Sequence, residues 1–216
     1  MKALFFGSIG TVIETSEIQR QSFNKAFKDA GLNWYWNIAT YCNLLNNPGG
    51  KKRIKEYSQG ILDQETIDFI HSKKEENFSK FLLKKQSPRR GIKNIYDLCL
   101  KNNIKLCLIT TTSLNNINSI KNTLSESIDF SKLSLITSLD DIKKPKPNSE
   151  IYSYALKKLN LKAEEVYAIE DTISNKYAAL NVGIKCYLYP GEYAMVNSNE
   201  DPIYEIEKKI SSLIKN

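Results

Sequence analysis

The 216-residue chain lacks several features that define whole classes of protein. It contains no apolar run of the ~18 to 20 residues that a membrane-spanning helix needs. Its four cysteines include no CxxC pair, so we expect neither a zinc site nor a disulfide scaffold. Nine glycines and six prolines, with 41% apolar residues, exclude collagen-like and wholly disordered chains. Because no signal peptide is visible, we expect a globular cytoplasmic protein with reduced thiols.

Histidine is also nearly absent, since His71 is the only one in the chain. With no cysteine beside it, catalysis by a Ser/His/Asp or Cys/His arrangement has little support. We expect His71 to be a surface or partly packed residue of a helix.

The charge is basic, with 31 Lys and Arg against 24 Asp and Glu and a formal net charge of +7. The lysines are spread among helical segments, which favours a solvated basic face. Positive charge also attracts an anionic small molecule, so composition alone does not separate a phosphate ligand from RNA.

Five short apolar segments predict buried strands, and helix-period stretches lie between the later ones. Strands that alternate with helices predict an α/β fold with an open, Rossmann-like parallel sheet of five strands, covered on both faces. The ligand of such a sheet binds at the carboxyl ends of its strands. The predicted strands are residues 3–6, 106–109, 133–136, 166–169 and 185–188.

A long helical stretch separates the first strand from the rest. Apolar residues at three- and four-residue spacing predict helices over residues 18–30, 36–45, 52–57 and 64–83. We therefore predict an α/β core of residues 1–14 and 88–216, with an inserted helical cap of residues 15–87. Residues 88–91, Pro-Arg-Arg-Gly, form the predicted return hinge.

Chemically distinctive residues follow the predicted strands. They are Gly7 to Thr11, Thr110 to Ser113, Lys143 to Pro147, and Glu170 to Thr172. Taken singly, each group is typical of a helix cap or a surface loop. Together at successive strand ends, hydroxyls, a lysine and paired carboxylates predict a phosphate site with a metal beside it.

The ordered strings LITTTS, KKPKP and VYAIEDT, after a glycine-threonine loop and a helical insertion, resemble the haloacid dehalogenase superfamily. Within the insertion, GLNWYW and GGKKR are similar to the CbbY-like group of sugar-phosphate phosphatases. The resemblance covers nearly the whole chain. It implies a Rossmann-like core with a helical cap, magnesium as cofactor, and a sugar phosphate as ligand.

The first motif departs from that family. Its pattern is DxDG[TV], in which the first aspartate attacks phosphorus and the second is the general acid and base. This chain has Gly7 and Ile9 at the two positions, so no catalytic residue is intact. Glycine cannot form an aspartyl phosphate, and loss of the acid removes a further factor of about 10² to 10⁴. Ser8 is expected to point to the opposite face of the strand, and Glu14 lies farther along the chain.

The resemblance implies roles for residues that remain. It assigns phosphate binding to Gly10, Thr110, Thr111 and Lys144, metal binding to Glu170 and Asp171, and binding of the substrate's distal phosphate to Gly50, Lys51 and Arg53. Gln19 stands where this group commonly has a histidine, which disfavours a mutase.

The leading hypothesis is therefore a CbbY-type phosphatase homologue with little or no hydrolytic turnover that retains a sugar-phosphate pocket or binds a protein partner. One alternative is an active magnesium-dependent phosphatase of a xylulose bisphosphate-like substrate. Another is a basic nucleic-acid-binding protein, for which salt-dependent RNA binding is the test.

Overall fold

A five-stranded parallel sheet forms the centre of the computed structural model, which describes residues 1–45, 49–82, 86–194 and 201–214. The strand order is β3-β2-β1-β4-β5, so the first strand is central. The predicted α/β fold is confirmed, with the third strand shorter than expected. The strands are β1 Ala3–Phe6, β2 Lys105–Leu108, β3 Leu135–Ile136, β4 Val166–Glu170 and β5 Lys185–Leu188.

Strand β1 is buried on both faces because its side chains alternate between two hydrophobic clusters. Leu4 and Phe6 enter one cluster, and Ala3 and Phe5 enter the other. This placement explains why β1 reads as a continuous apolar run.

Helices cover both faces of the sheet. The Leu4 cluster includes residues of helices α5, α6 and α9, and the Phe5 cluster includes residues of α7 and α8. The five helices are α5 Ile92–Lys101, α6 Leu114–Leu124, α7 Glu150–Leu159, α8 Ile173–Leu180 and α9 Pro202–Ile214.

Four helices separate β1 from α5, and we call residues 16–81 the helical insertion. They are α1 Ser16–Asp29, α2 Ile38–Leu44, α3 Gly50–Tyr57 and α4 Gln64–Phe81. The predicted end of the fourth helix at residue 83 lies outside the described residues. A third hydrophobic cluster fills the insertion around Trp36, whose ring centroid lies 4.7 Å from those of Phe23 and Phe27.

In the described part of the chain, no helix is long and apolar enough to cross a membrane. All four cysteines are free thiols. Burial raises the pKa of Cys99 and of Cys107 to about 12, so these two act as small core residues and not as nucleophiles.

Candidate functional site

A cavity of about 870 Å³ lies where the carboxyl ends of the strands face the helical insertion. Residues from both sides line it. The core contributes Ser8, Ile9, Thr110, Thr111, Lys146, Glu170 and Asp171, and the insertion contributes Gly50, Lys51, Arg53, His71 and Lys74. The topology therefore brings most of the predicted site residues together, and Gly10 and Lys144 are the exceptions.

Ser8 faces the cavity, which corrects the expectation that its side chain points away. Its Oγ donates a hydrogen bond of 2.8 Å to Thr110 Oγ1, and both residues are buried. The strand β1 ends at Phe6, so the alternation of strand side chains does not extend to the turn that contains Ser8.

Backbone amides of two strand-end loops are left without partners. The N–H groups of Ser8, Ile9 and Thr111 donate to no described residue. Gly10 differs, because its N–H donates to the carbonyl of Ile13 at 2.8 Å and closes the turn. The N–H of Gly10, which the sequence analysis assigns to phosphate, is therefore already bonded within the turn, whereas those of Ser8 and Ile9 are not.

Thr110 adds a hydroxyl donor to these amides. Its Oγ1 accepts hydrogen bonds from Ser8 Oγ and, at 3.2 Å, from the N–H of Thr112, which leaves its own proton available. We name the N–H groups of Ser8, Ile9 and Thr111, with the Thr110 hydroxyl, the anion cradle. Neutral donors that line one cavity in this way can bind phosphate or carboxylate oxygens.

Lys146, not Lys144, is the lysine of the Lys-Pro-Lys-Pro run that lines the cavity. Lys144 is exposed, and the carboxylate of Glu150 accepts the N–H groups of Lys143 and Lys144 at 3.0 and 2.9 Å, which holds that stretch at the surface. The buried ammonium of Lys146 donates to the carbonyl of Ile109 at 2.8 Å. Lys144 and Lys146 each precede a proline, and the hydrogen bonds at the start of α7 place Lys146, not Lys144, at the cavity.

Glu170 holds Lys146 in place. Its Oε1 accepts hydrogen bonds from the Lys146 ammonium and the Tyr152 hydroxyl, and all three residues are buried. Its Oε2 is buried without a partner among the described residues and lies 2.5 Å from the position that a Cβ of Gly7 would take. Glu170 therefore crowds the position where the family pattern has an aspartate.

Asp171 adds a second carboxylate beside Glu170. Burial and then the charge of Glu170 raise the pKa of Asp171 to about 7, while a hydrogen bond of 3.1 Å from Asn175 Nδ2 opposes that rise. Two carboxylates against one lysine leave negative charge uncompensated, so a cation fits here. In the described ranges, no set of three or more His, Cys, Asp or Glu side chains could hold a metal. Two carboxylates suffice for Mg²⁺ when phosphate and water complete the shell.

The insertion presents the start of α3 to the cavity. Gly49 has a φ of 100°, a left-handed-region conformation that favours glycine. A Cβ on Gly50 would lie 2.6 Å from His71 Nε2, so the close packing of α3 against the His71 side chain also requires glycine. Burial, and then Lys74, lower the pKa of His71 to about 4, which keeps this imidazole neutral at pH 7.

The predicted cations of α3 line the cavity but have partners. Lys51 pairs with Asp68 at 2.9 Å, and Arg53 Nε donates to the carbonyl of Leu44 at 3.1 Å. Both line the cavity from the insertion, whereas the anion cradle belongs to the core.

Lys74 is a site residue that the sequence analysis missed. It is 5% exposed, and its ammonium lies 5.4 and 5.1 Å from the ring centroids of Phe23 and Phe78, without a hydrogen bond or ion pair to any described residue. Burial lowers the pKa of Lys74 to about 8. The sequence does indicate the burial of Lys74, which lies four residues after Ile70 and four before Phe78, in the apolar stripe of α4.

Hydrogen bonds connect the strand-end loops with the return hinge and with the insertion. Arg89, in the predicted hinge, donates to the carbonyls of Gly10, Tyr189 and Pro190, the last two at 3.0 and 2.8 Å. The hydroxyl of Tyr193, after β5, donates to Glu17 Oε2 of α1 at 2.5 Å. The hydrogen bonds of Arg20 and then of Tyr193 help lower the pKa of Glu17 to about 2.

Comparison with known proteins shows which proteins this chain is similar to. The family described as haloacid dehalogenase-like hydrolase matches residues 10–189. The protein CbbY of Cereibacter sphaeroides is 30% identical over 197 residues, which cover 89% of this chain and 86% of that protein.

Solved structures agree with the sequence relatives. A CbbY variant from Rhodobacter sphaeroides in complex with xylulose bisphosphate superposes with a TM-score of 0.85 at 29% identity, covering 93% of this chain and 91% of that one. CbbY from the same organism in complex with phosphate gives a TM-score of 0.84 at 29% identity, with the same coverage of 93% and 91%.

Proposed function

Because the chain belongs to the haloacid dehalogenase-like hydrolase family, which it matches over residues 10–189, we propose that it binds a sugar phosphate with little or no hydrolysis. The observation that carries this proposal is the combination of an intact anion cradle with Gly7 and Ile9 in the first loop. The cradle supplies oxygen-binding donors without any carboxylate from position 7. Covalent phosphoryl transfer in the family's manner needs that carboxylate.

The two ends of the cavity support a ligand with more than one anionic group. The anion cradle lies at the core end, and Lys51, Arg53 and Lys74 lie at the insertion end. Similar proteins have been solved with xylulose bisphosphate and with phosphate, which supports a phosphorylated sugar as the ligand class. We infer that residues 15–87 act as the cap over the core of residues 1–14 and 88–216.

Phosphatases of this family generally use Mg²⁺. In this chain Glu170 and Asp171 would hold it, and the unpartnered Oε2 of Glu170 supports that assignment. When bound, the ion neutralises charge on a phosphate oxygen. Lys146 supplies positive charge beside Glu170 in either case, and Tyr152 orients the Glu170 carboxylate.

A phosphate-release screen tests the absence of turnover. Native protein, Asp171→Ala, and the double variant Gly7→Asp, Ile9→Asp are incubated with Mg²⁺ and a panel of sugar phosphates that includes xylulose bisphosphate. Native protein is expected to release no phosphate above background. Native turnover that disappears in Asp171→Ala would establish the alternative, an active metal-dependent phosphatase.

Calorimetric titration tests the pocket itself. Inorganic phosphate and a sugar phosphate are titrated into native protein, Thr110→Val and Lys146→Met, with and without Mg²⁺, and Lys144→Met is the matched control. Native protein and the control are expected to bind equally, while the two cavity variants bind more weakly. Absence of binding in native protein under every condition would remove the phosphate pocket and leave a protein-interaction role or nucleic-acid binding.

A further inference from the structure

The hydroxyl of Ser8 contacts the Thr110 hydroxyl of the anion cradle, and the proposed binding function uses it only to orient that hydroxyl. We propose that Ser8 is a phosphoryl acceptor, which an acyl phosphate bound in the cradle phosphorylates once. This inference rests on the proposed phosphate-binding pocket, but it assigns that pocket a covalent reaction with a different class of donor.

The geometry places a nucleophile beside the site of the phosphoryl group. Ser8 Oγ directs its proton at Thr110 Oγ1 over 2.8 Å, so its lone pairs are free to attack. The amide N–H groups of Ser8, Ile9 and Thr111, which have no partner among the described residues, are donors for the phosphoryl oxygens. At position 7, glycine offers no competing carboxylate.

The reaction balances with the groups present. Ser8 Oγ forms a bond to phosphorus while the bond between phosphorus and the acyl oxygen breaks, and its electron pair leaves with the carboxylate. The Ser8 proton passes to Thr110 Oγ1 as the Thr110 proton moves to a phosphoryl oxygen and then to water. The products are a phosphoserine and a free carboxylate, and nothing is oxidised or reduced.

Ile9 determines which donors react. The family pattern places an acid at this position to protonate the leaving group, and isoleucine carries no proton to donate. A sugar alkoxide leaves poorly without that acid, whereas a carboxylate leaves without protonation. The phosphoserine product should also persist, because Ile9 cannot activate a water molecule to hydrolyse the ester.

The experiment uses acetyl phosphate as the donor. Native protein is incubated with it, the intact mass is measured, and the modified peptide is located by fragmentation. One added phosphoryl group on Ser8 is expected, and it should survive hydroxylamine, which removes carboxyl-linked phosphate. Ser8→Ala should lose this addition, and Ser125→Ala, the same change at an exposed serine, should retain it.

Two further comparisons connect the reaction with the cradle. Thr110→Val keeps the Ser8 hydroxyl but removes its hydrogen-bond partner. Labelling of Ser8 should therefore slow by at least about tenfold, because a positioned proton acceptor contributes a factor of about 10² to 10⁴ when it is fully effective. Native protein unfolded in urea should not be labelled at Ser8. Equal labelling of folded and unfolded protein would refute the proposal.

The outcome separates this inference from the proposed function. If native protein binds phosphate in calorimetry but acetyl phosphate adds nothing at Ser8, the phosphoryl-acceptor proposal is wrong and the binding function stands. A hydroxylamine-sensitive label on Glu170 or Asp171 would also overturn it. If native protein binds no phosphate at all, the binding function fails independently of the labelling result.

Discussion

Lys74 is a buried ammonium of the insertion that lines the cavity, and its charge state should control ligand affinity. Burial lowers its pKa to about 8, and a bound phosphate favours the charged form. The affinity for a sugar phosphate is therefore expected to be full between about pH 6 and pH 8, where the phosphate is a dianion and Lys74 is charged. Above pH 8, the affinity falls by up to about tenfold per pH unit, while the ligand remains a dianion because its second pKa is ~6.

Calorimetry at pH 7 and pH 9.5 checks this pH dependence. The groups nearest to Lys74 by charge are Glu75, Arg53 and His71, and His71 is neutral at both pH values. Lys74→Met should bind the sugar phosphate weakly at both pH values, and its affinity should not fall between pH 7 and pH 9.5. Lys73→Met, the same change at a lysine that pairs with Glu76, should behave like native protein. A decline that persists in Lys74→Met would assign it to another group.

Gly7 is the second residue for which the structure makes a strong prediction. A Cβ there would lie 2.5 Å from Glu170 Oε2 and 2.7 Å from Thr11 Oγ1, and Lys146 and Tyr152 hold the Glu170 carboxylate in place. Gly7→Ala is expected to lower the free energy of unfolding by about 1–3 kcal/mol, as overpacking does. Urea denaturation measures the change.

The matched comparison is the same substitution in a Glu170→Asp background. The shorter side chain withdraws the carboxylate from Gly7, so the cost of Gly7→Ala should shrink there. An unchanged cost in both backgrounds would show that Glu170 does not crowd position 7.

At single residues, the sequence predicted types of side chain better than their positions. It identified Thr110, Glu170 and Asp171 as strand-end residues, and the structure places all three at the cavity. It chose Lys144 over Lys146 because two Lys-Pro pairs are equivalent in sequence, and the hydrogen bonds of Glu150 that separate them depend on where α7 begins. Lys74 was missed because a lysine side chain within a helix is normally predicted to be exposed to solvent.

The connection from the insertion back to the core depends on Arg89. Its guanidinium stacks on the ring of Tyr189 at 3.7 Å and donates to three carbonyls in the loops after β1 and β5. Arg89→Gln is expected to lower the free energy of unfolding by about 1.5–3 kcal/mol, the range for hydrogen bonds to a charged group. Arg90→Gln, the same change at the exposed neighbour, should cost little. Equal effects in urea denaturation would contradict the assigned role.

Elements were more predictable than site geometry. Strand β1 followed from its apolar run, and the start of α4 at residue 64 followed from apolar spacing. In the structure, the side chain of Asp63 caps that start by accepting the N–H of Thr66 at 2.8 Å. Strand β3 was predicted over residues 133–136, but only residues 135 and 136 pair with β2. The chain just before the predicted strand forms a 3₁₀ turn, Phe130–Lys132. The turn after β1 depends on Ser8, whose carbonyl accepts the N–H groups of Val12 and Ile13, a pattern that strand periodicity does not encode.

For the molecule as a whole, the cavity lies between the core and the helical insertion, so a ligand that reaches both ends should stabilise the whole chain. We expect a sugar bisphosphate to place one phosphate in the anion cradle and the other near Lys74. Its binding should raise the melting temperature, with about 2.7 kcal/mol of added stability at a ligand concentration of one hundred times Kd. Differential scanning calorimetry with increasing bisphosphate measures this shift.

The net charge of +7 provides the competing explanation, in which any polyanion stabilises the protein through its surface. An RNA oligonucleotide is too large for a cavity of about 870 Å³, so the two ligands separate the mechanisms. Lys74→Met should abolish most of the shift caused by the bisphosphate and leave any shift caused by RNA unchanged. Raising the salt concentration should weaken RNA binding more steeply, because surface charges are screened and counterions are released. A larger shift with RNA than with the bisphosphate, lost in salt and unaffected by Lys74→Met, would favour nucleic-acid binding over the cavity.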